Sequence, residues 1–128
     1  RRFLPQIIKG CLSGVNFPTS AGMQLRDFCY VDDITDGILM ALTNDRVNGK
    51  VINLASGIPV PIRKVVEQVQ KTVGQGVPEF GEVPYRVGEN MALYADISKV
   101  KELLGWKPLI TLEQGIEKTV EGFRRGIL

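Results

Sequence analysis

The sequence predicts a single mixed α/β unit, and three features of its 128 residues carry that expectation. Strand-type runs alternate with apolar stripes at helical spacing. Capping and stop residues bound most of those stripes. No linker, internal repeat or low-complexity segment divides residues 1–128, so one domain with a real core is expected.

Residues 2–12 carry Phe3, Leu4, Ile7, Ile8 and Leu12 close to helical spacing, with Pro5 tolerated in the first turn and Gly14 as the stop. Residues 15–22 read as a strand and a turn. Residues 24–33 (QLRDFCYVDD) alternate Leu25, Asp27, Cys29 and Val31 against Arg26, Phe28 and Tyr30, the period of a strand. Asp33 is placed as N-cap of a short amphipathic helix over residues 34–44, with apolar Ile34, Ile38, Ala41 and Leu42 and with Asp36 in the first turn. Residues 50–56 (KVINLAS) form a compact buried-type strand between Asn48-Gly49 and Gly57.

Pro61 marks the next helix start, and Ile62, Val65, Val66, Val69 and Val73 make its stripe, stopped by Gly74. The Gly- and Pro-rich residues 75–90 leave room for one strand around residues 83–87. Asp96 is expected to cap a helix with Ile97, Val100, Leu103 and Leu104 inward and Gly105 at its end, after which Trp106 packs back and Pro108 blocks continuation. Thr111 and Gln114 form a capping box for a last helix carrying Leu112, Ile116, Val120 and Phe123.

Composition excludes several chemistries. With 44% hydrophobic and 23% charged residues the chain is ordinary globular material, and no apolar run is long enough to span a bilayer. A net charge of +2 without a basic, aromatic-interleaved stripe argues against nucleic acid. RRFLPQIIKG at the start is too short and too broken to be a signal peptide. The chain opens on Arg1 instead of methionine, so a fragment or a processed product is expected. Histidine is absent, which removes Ser-His and Cys-His nucleophiles, imidazole bases and histidine metal sites. Cys11 and Cys29 read as buried free thiols of a cytoplasmic protein.

No catalytic set emerges. No Gly-x-Gly-x-x-Gly turn opens a helix, and Tyr30, Tyr85 and Tyr94 each lack a lysine four residues on. Adjacent Asp32 and Asp33 read as one cap and one solvated or strand-end carboxylate. What remains suits binding. Arg26 and Arg86 both lie in strand-like segments beside turns, where two guanidinium forks can clamp a pyrophosphate. Surface ion pairs with Asp27 and Glu89 are the other reading. Asn16 and Phe17 precede the turn at residues 18–22, where backbone groups and a ring can meet a flat base; Phe17 as core is the alternative.

Five segments, in order, resemble motifs of the extended short-chain dehydrogenases/reductases that act on nucleotide sugars. RFLP at residues 2–5 resembles the helix opening after that family's Tyr-Gly-Pro segment. TSAGMQLRDFCYVDD at 19–33 resembles its Gly-x-Gln-x-Arg-Asp-Phe-x-Tyr-Val-Asp-Asp signature, and VINLASG at 51–57 its Asn-Ile-Gly-x-Gly strand. YRVGE at 85–89 resembles its second arginine motif, and YADISKVKELLGWKP at 94–108 its Asp-x-Ser-Lys run to Leu-Gly-Trp-x-Pro.

The resemblance implies the C-terminal half of a nucleotide-sugar epimerase, dehydratase or 4-ketoreductase, lacking the N-terminal Rossmann core. Arg26 and Arg86 are implied to bind the substrate diphosphate, Glu89 to lie near the nucleotide ribose, and Asn16 and Phe17 to hold the base through main-chain contacts. Gln24 lies beside that pocket without an assigned role. The parent reaction is implied to be hydride transfer with NAD or NADP, in surface-polysaccharide pathways, with its glycine-rich turn and Tyr/Lys pair in the missing half. The chain alone is therefore expected to be inactive and to bind no dinucleotide. The strand at residues 50–56 is implied to neighbour the missing sheet, and its bare edge predicts a homo-oligomer. A stand-alone binding or interaction module that kept the fold without the chemistry is the rival reading.

Overall fold

The computed structural model describes residues 2–127. Helix α1 (Phe3–Leu12) leads to strands β1 (Asn16–Thr19) and β2 (Leu25–Asp27), then to helix α2 (Val31–Leu42). Strand β3 (Pro59–Pro61) runs straight into helix α3 (Ile62–Val73), followed by strands β4 (Val77–Phe80) and β5 (Ala92–Leu93). Helices α4 (Ser98–Leu104) and α5 (Leu112–Arg124) complete the mixed α/β arrangement. Two small sheets form: β1 lies parallel to β4, while β2 sits between antiparallel β3 and parallel β5.

The stripes read on α1, α3 and α5 become the main core, whereas that of α2 does not, Ile38 and Leu42 being 48% and 75% exposed. Ile62, Val65, Val66 and Val69 of α3 are buried against Ile7, Ile8 and Cys11 of α1 and Ile116 and Val120 of α5. Val73, Leu112 and Phe123 pack at its rim. Gly74 and Gly105 end α3 and α4 as expected, and Thr111 and Gln114 make the reciprocal capping box of α5. A second, smaller core gathers Ile97, Val100 and Trp106 with Cys29, Ile52 and Leu54.

Five expectations are corrected. The strand over residues 24–33 shrinks to Leu25–Asp27, and α2 starts at Val31 with Tyr30 at the N-cap. Asp33 is therefore not a cap. It is 3% exposed inside the first turn, where its Oδ2 accepts from the Ile110 N–H at 2.9 Å and its carbonyl from Trp106 Nε1 at 2.9 Å. Trp106 gets that close because position 37 has no side chain: a Cβ there would lie 3.0 Å from Trp106 Nε1 and 2.6 Å from Leu54 Cδ2.

Residues 50–56 make no ladder among the described residues, and Val51 is 83% exposed. A segment becomes a strand only by pairing, and here it meets no second strand. Residues 83–87 are irregular, and the strand of that region is β4 instead. Asp96 acts one residue further out than an N-cap, its Oδ1 accepting from the Ser98 N–H at 2.8 Å and hydroxyl at 2.6 Å. Those two bonds hold its carboxyl below the usual carboxylate range.

Candidate functional site

Arg26 is the middle residue of β2, opposite Val60 of β3 and Leu93 of β5. The strand is held at this place by its neighbour Asp27. Asp27 Oδ1 accepts from the Ser56 N–H at 2.8 Å and hydroxyl at 2.7 Å, and Oδ2 from Gly57 N at 2.9 Å and Ala95 N at 3.3 Å. One carboxylate thus ties β2 to both flanking segments. Alternation sends the Arg26 side chain to the opposite face.

There Arg26 Nη1 donates to the Leu25 carbonyl at 2.7 Å, and Nη2 to Glu89 Oε1 at 3.3 Å. The side chains of this pair are 23% and 19% exposed, so both are partly desolvated. Glu89 Oε1 also accepts from Gln24 Nε2 at 3.4 Å. Glu89 and Arg86 close one turn, the Glu89 N–H donating to the Arg86 carbonyl at 3.0 Å, with Gly88 at φ 76° in the position that tolerates left-handed backbone. Tyr85 pins the turn across the gap, its hydroxyl accepting from Met23 N at 3.0 Å.

These pieces enclose a cavity of about 470 Å³, lined among others by Thr19, Gln24, Arg26, Tyr85, Arg86 and Glu89. Its size suits a small-molecule site. Arg26 and the turn carrying Arg86 and Glu89, far apart in sequence, are brought together. Arg86 is exposed and makes no ion pair among the described residues. Asn16 and Phe17 do not line the cavity; the end of β1, Pro18 and Thr19, does. Asn16 is exposed. Phe17 packs at the rim of the main core, its ring so near α1 that a Cβ on Gly10 would meet Cδ1 at 2.8 Å. Gln24 and Tyr85 carry geometry that sequence reasoning does not assign. The only signal is a glutamine and a tyrosine flanking the two arginine segments.

Nucleophilic and metal chemistry find little support elsewhere. The Cys29 thiol is pushed up to about 11, chiefly by burial and then by the Asp33 and Asp27 charges, and burial also raises Cys11. Among the described residues no group of three or more Cys, Asp or Glu is placed to hold a metal ion. No described helix is long and apolar enough to cross a membrane. A wider groove of about 1060 Å³ runs between α3 and α5, lined by Lys71, Lys118, Arg124 and Arg125 together with Glu113, Glu117 and Glu121. Arg26 and Arg86 line the smaller cavity instead, which is the candidate site.

Similarity to known proteins shows the family. The family model described as GDP-mannose 4,6 dehydratase matches residues 4–119. UDP-glucuronate 4-epimerase of Thermodesulfobacterium geofontis is 33% identical over 108 residues, covering 83% of this chain and 32% of that protein. dTDP-glucose 4,6-dehydratase of Xanthomonas campestris is 30% identical over 132 residues, covering 95% of this chain and 37% of the relative. The chain thus spans about a third of the length of these curated relatives. MoeE5, solved with UDP-glucuronic acid and NAD, superposes with a TM-score of 0.83 at 26% identity, over 98% of this chain and 42% of that one. The chain belongs to the GDP-mannose 4,6-dehydratase family, among the nucleotide-sugar epimerases and dehydratases of the extended short-chain dehydrogenase/reductase fold.

Proposed function

We propose that this chain is the substrate-gripping, C-terminal portion of an NAD- or NADP-dependent nucleotide-sugar epimerase, dehydratase or 4-ketoreductase. The observation that carries the reading is the cavity wall itself: Arg26 and Arg86, from distant segments, both face one space of nucleotide-diphosphate scale. Guanidinium forks match non-bridging phosphate oxygens, and partial desolvation of Arg26 strengthens each bond. Glu89 then serves the ribose hydroxyls as an acceptor. Asn16 and Phe17 stand further off, so a contact with the base runs through the backbone of β1 and its following turn.

The residues present do not fit a dinucleotide. No helix opens from a Gly-x-Gly-x-x-Gly turn, and no tyrosine has a lysine four residues on. The hydride step therefore lies outside these residues: the nicotinamide and the acid/base pair belong to a Rossmann part within the relatives' remaining length. Two exposed apolar features support a missing neighbour. Leu39 and Leu42 on α2 are 57% and 75% exposed, and the unpaired segment at residues 50–58 bares Val51 and Ile58. The chain alone self-associates through that edge. A cytoplasmic setting fits its two free thiols.

Binding of UDP, GDP and dTDP by calorimetry tests the reading. Each arginine–phosphate contact contributes about 1.5–3 kcal/mol, so Arg86→Ala weakens the best of these ligands roughly ten- to a hundredfold. Arg86→Lys recovers part of the loss. Unchanged affinity in folded Arg26→Ala and Arg86→Ala chains overturns the assignment.

A further inference from the structure

We infer that Glu89 is the specificity-determining residue of this cavity: it occupies Arg26 when no ligand is bound, which disfavours bare anions and favours anions that also bring hydroxyl donors. The inference rests on the reading that Arg26 and Arg86 hold a diphosphate. Two of the five N–H donors of Arg26 are already in use. Nη1 is committed to the Leu25 carbonyl at 2.7 Å, and Nη2 to Glu89 Oε1 at 3.3 Å. The charge an incoming phosphate needs is thus answered from within, by a contact at the long end of the hydrogen-bond range.

Gln24 holds the competing carboxylate in place. It is 8% exposed, and its Nε2 reaches the same Glu89 Oε1 at 3.4 Å and Ser20 Oγ at 3.4 Å. Its own Oε1 is buried without any hydrogen-bond partner. A buried carbonyl left without a donor is costly, and such orphans call for an explanation in function. Turning the amide over does not help, since its oxygen would then face the carboxylate. The closed arrangement is therefore one that a donor-bearing ligand improves.

Ligand choice is affected in two ways. A phosphate approaching Arg26 meets the Glu89 charge in a partly desolvated site, where repulsion is weakly screened. A sugar hydroxyl beside that phosphate offsets the repulsion by donating to Glu89 and, once the carboxylate has shifted, to the unpartnered Gln24 carbonyl. Inorganic pyrophosphate brings no such hydroxyl. Arg86, exposed and outside any ion pair among the described residues, is the first contact for both kinds of ligand.

The test is calorimetric titration of the full chain with inorganic pyrophosphate and with UDP, GDP or dTDP, whichever binds best. Glu89→Gln is expected to tighten pyrophosphate roughly three- to tenfold, less at high salt, while the nucleoside diphosphate gains less or weakens. The pyrophosphate gain disappears in the Arg26→Ala background. Gln24→Met, which frees Glu89 without removing its charge, gives a smaller gain of the same sign. Pyrophosphate affinity unchanged or reduced by Glu89→Gln overturns the inference, as does a gain that survives Arg26→Ala. Pyrophosphate undetectable at millimolar concentration in both wild type and Glu89→Gln overturns it too. If Arg26→Ala and Arg86→Ala leave every ligand unaffected, the diphosphate site itself fails; if they weaken binding but Glu89→Gln does nothing, only the role of Glu89 fails.

Discussion

Replacing Asp27 with alanine removes the tie that fixes β2, and the structure allows its cost to be worked out. Four hydrogen bonds end on this carboxylate, from Ser56 N, Ser56 Oγ, Gly57 N and Ala95 N. Bonds to a charged group contribute about 1.5–3 kcal/mol each when counted singly. They are not additive here, because all four share one anchor and water reaches the half-buried site after truncation. A net loss of about 2–4 kcal/mol is the reasoned total, a large share of a typical stability of about 5–15 kcal/mol. For a chain of this size that lowers Tm by roughly 8–20 °C. Urea unfolding gives the free energy, and amide hydrogen exchange gives the place. Ser56 and Gly57 lose protection first, while Val69 and Val120 of the main core keep theirs. A loss under about 0.5 kcal/mol, with Ser56 and Gly57 still protected, refutes the tie.

Gly37→Ala raises helix propensity by about 1 kcal/mol yet destabilises the chain by about 1–3 kcal/mol, because the added methyl meets Trp106 Nε1 and Leu54; urea midpoints check the sign. Cys29, with its thiol raised to about 11, resists iodoacetamide at pH 8 until the chain is unfolded, and rapid alkylation of the folded chain contradicts the burial argument. The same shift has a sign for stability. The folded state favours the neutral thiol, so its contribution is whole below the ordinary thiol value of 9.0 and is lost as pH rises from there through about 11; a Cys29→Ala chain lacks that alkaline decline. The chain alone runs as a dimer or larger species in light scattering at tens of micromolar, and a clean monomer with freely exchanging Val51 and Ile52 amides argues against edge pairing.

What can be read from the sequence is what local chemistry decides. The α3 stripe, the glycine stops after Val73 and Leu104 and the Thr111–Gln114 box each depend on a few adjacent residues, and each is found in place. Strands are harder, because pairing decides them. Residues 50–56 have a strand's composition but no partner among the described residues, whereas Pro59–Pro61, with two prolines, pairs as an edge strand of β2. Asp33 escapes a local reading for a similar reason: its partners, Ile110 N and the indole of Trp106, lie more than seventy residues away. At the cavity, Arg26, Arg86 and Glu89 are visible in the sequence as strand-and-turn charges. That Glu89 pairs with Arg26, and that Gln24 supports it, depends on the approach of the turn at residues 86–89 to β2.

The central claim is that Arg26 and Arg86 jointly face a nucleoside diphosphate. Its most direct measurement is NMR of the arginine guanidinium groups during titration of the chain with UDP, GDP and dTDP. The signals of Arg26 and Arg86 should shift together and saturate at one dissociation constant, with Glu89 and Gln24 following and Arg124 and Arg125 beside the α3–α5 groove unmoved. Shifts confined to that groove, or none at Arg26 and Arg86 at millimolar ligand, would contradict the claim.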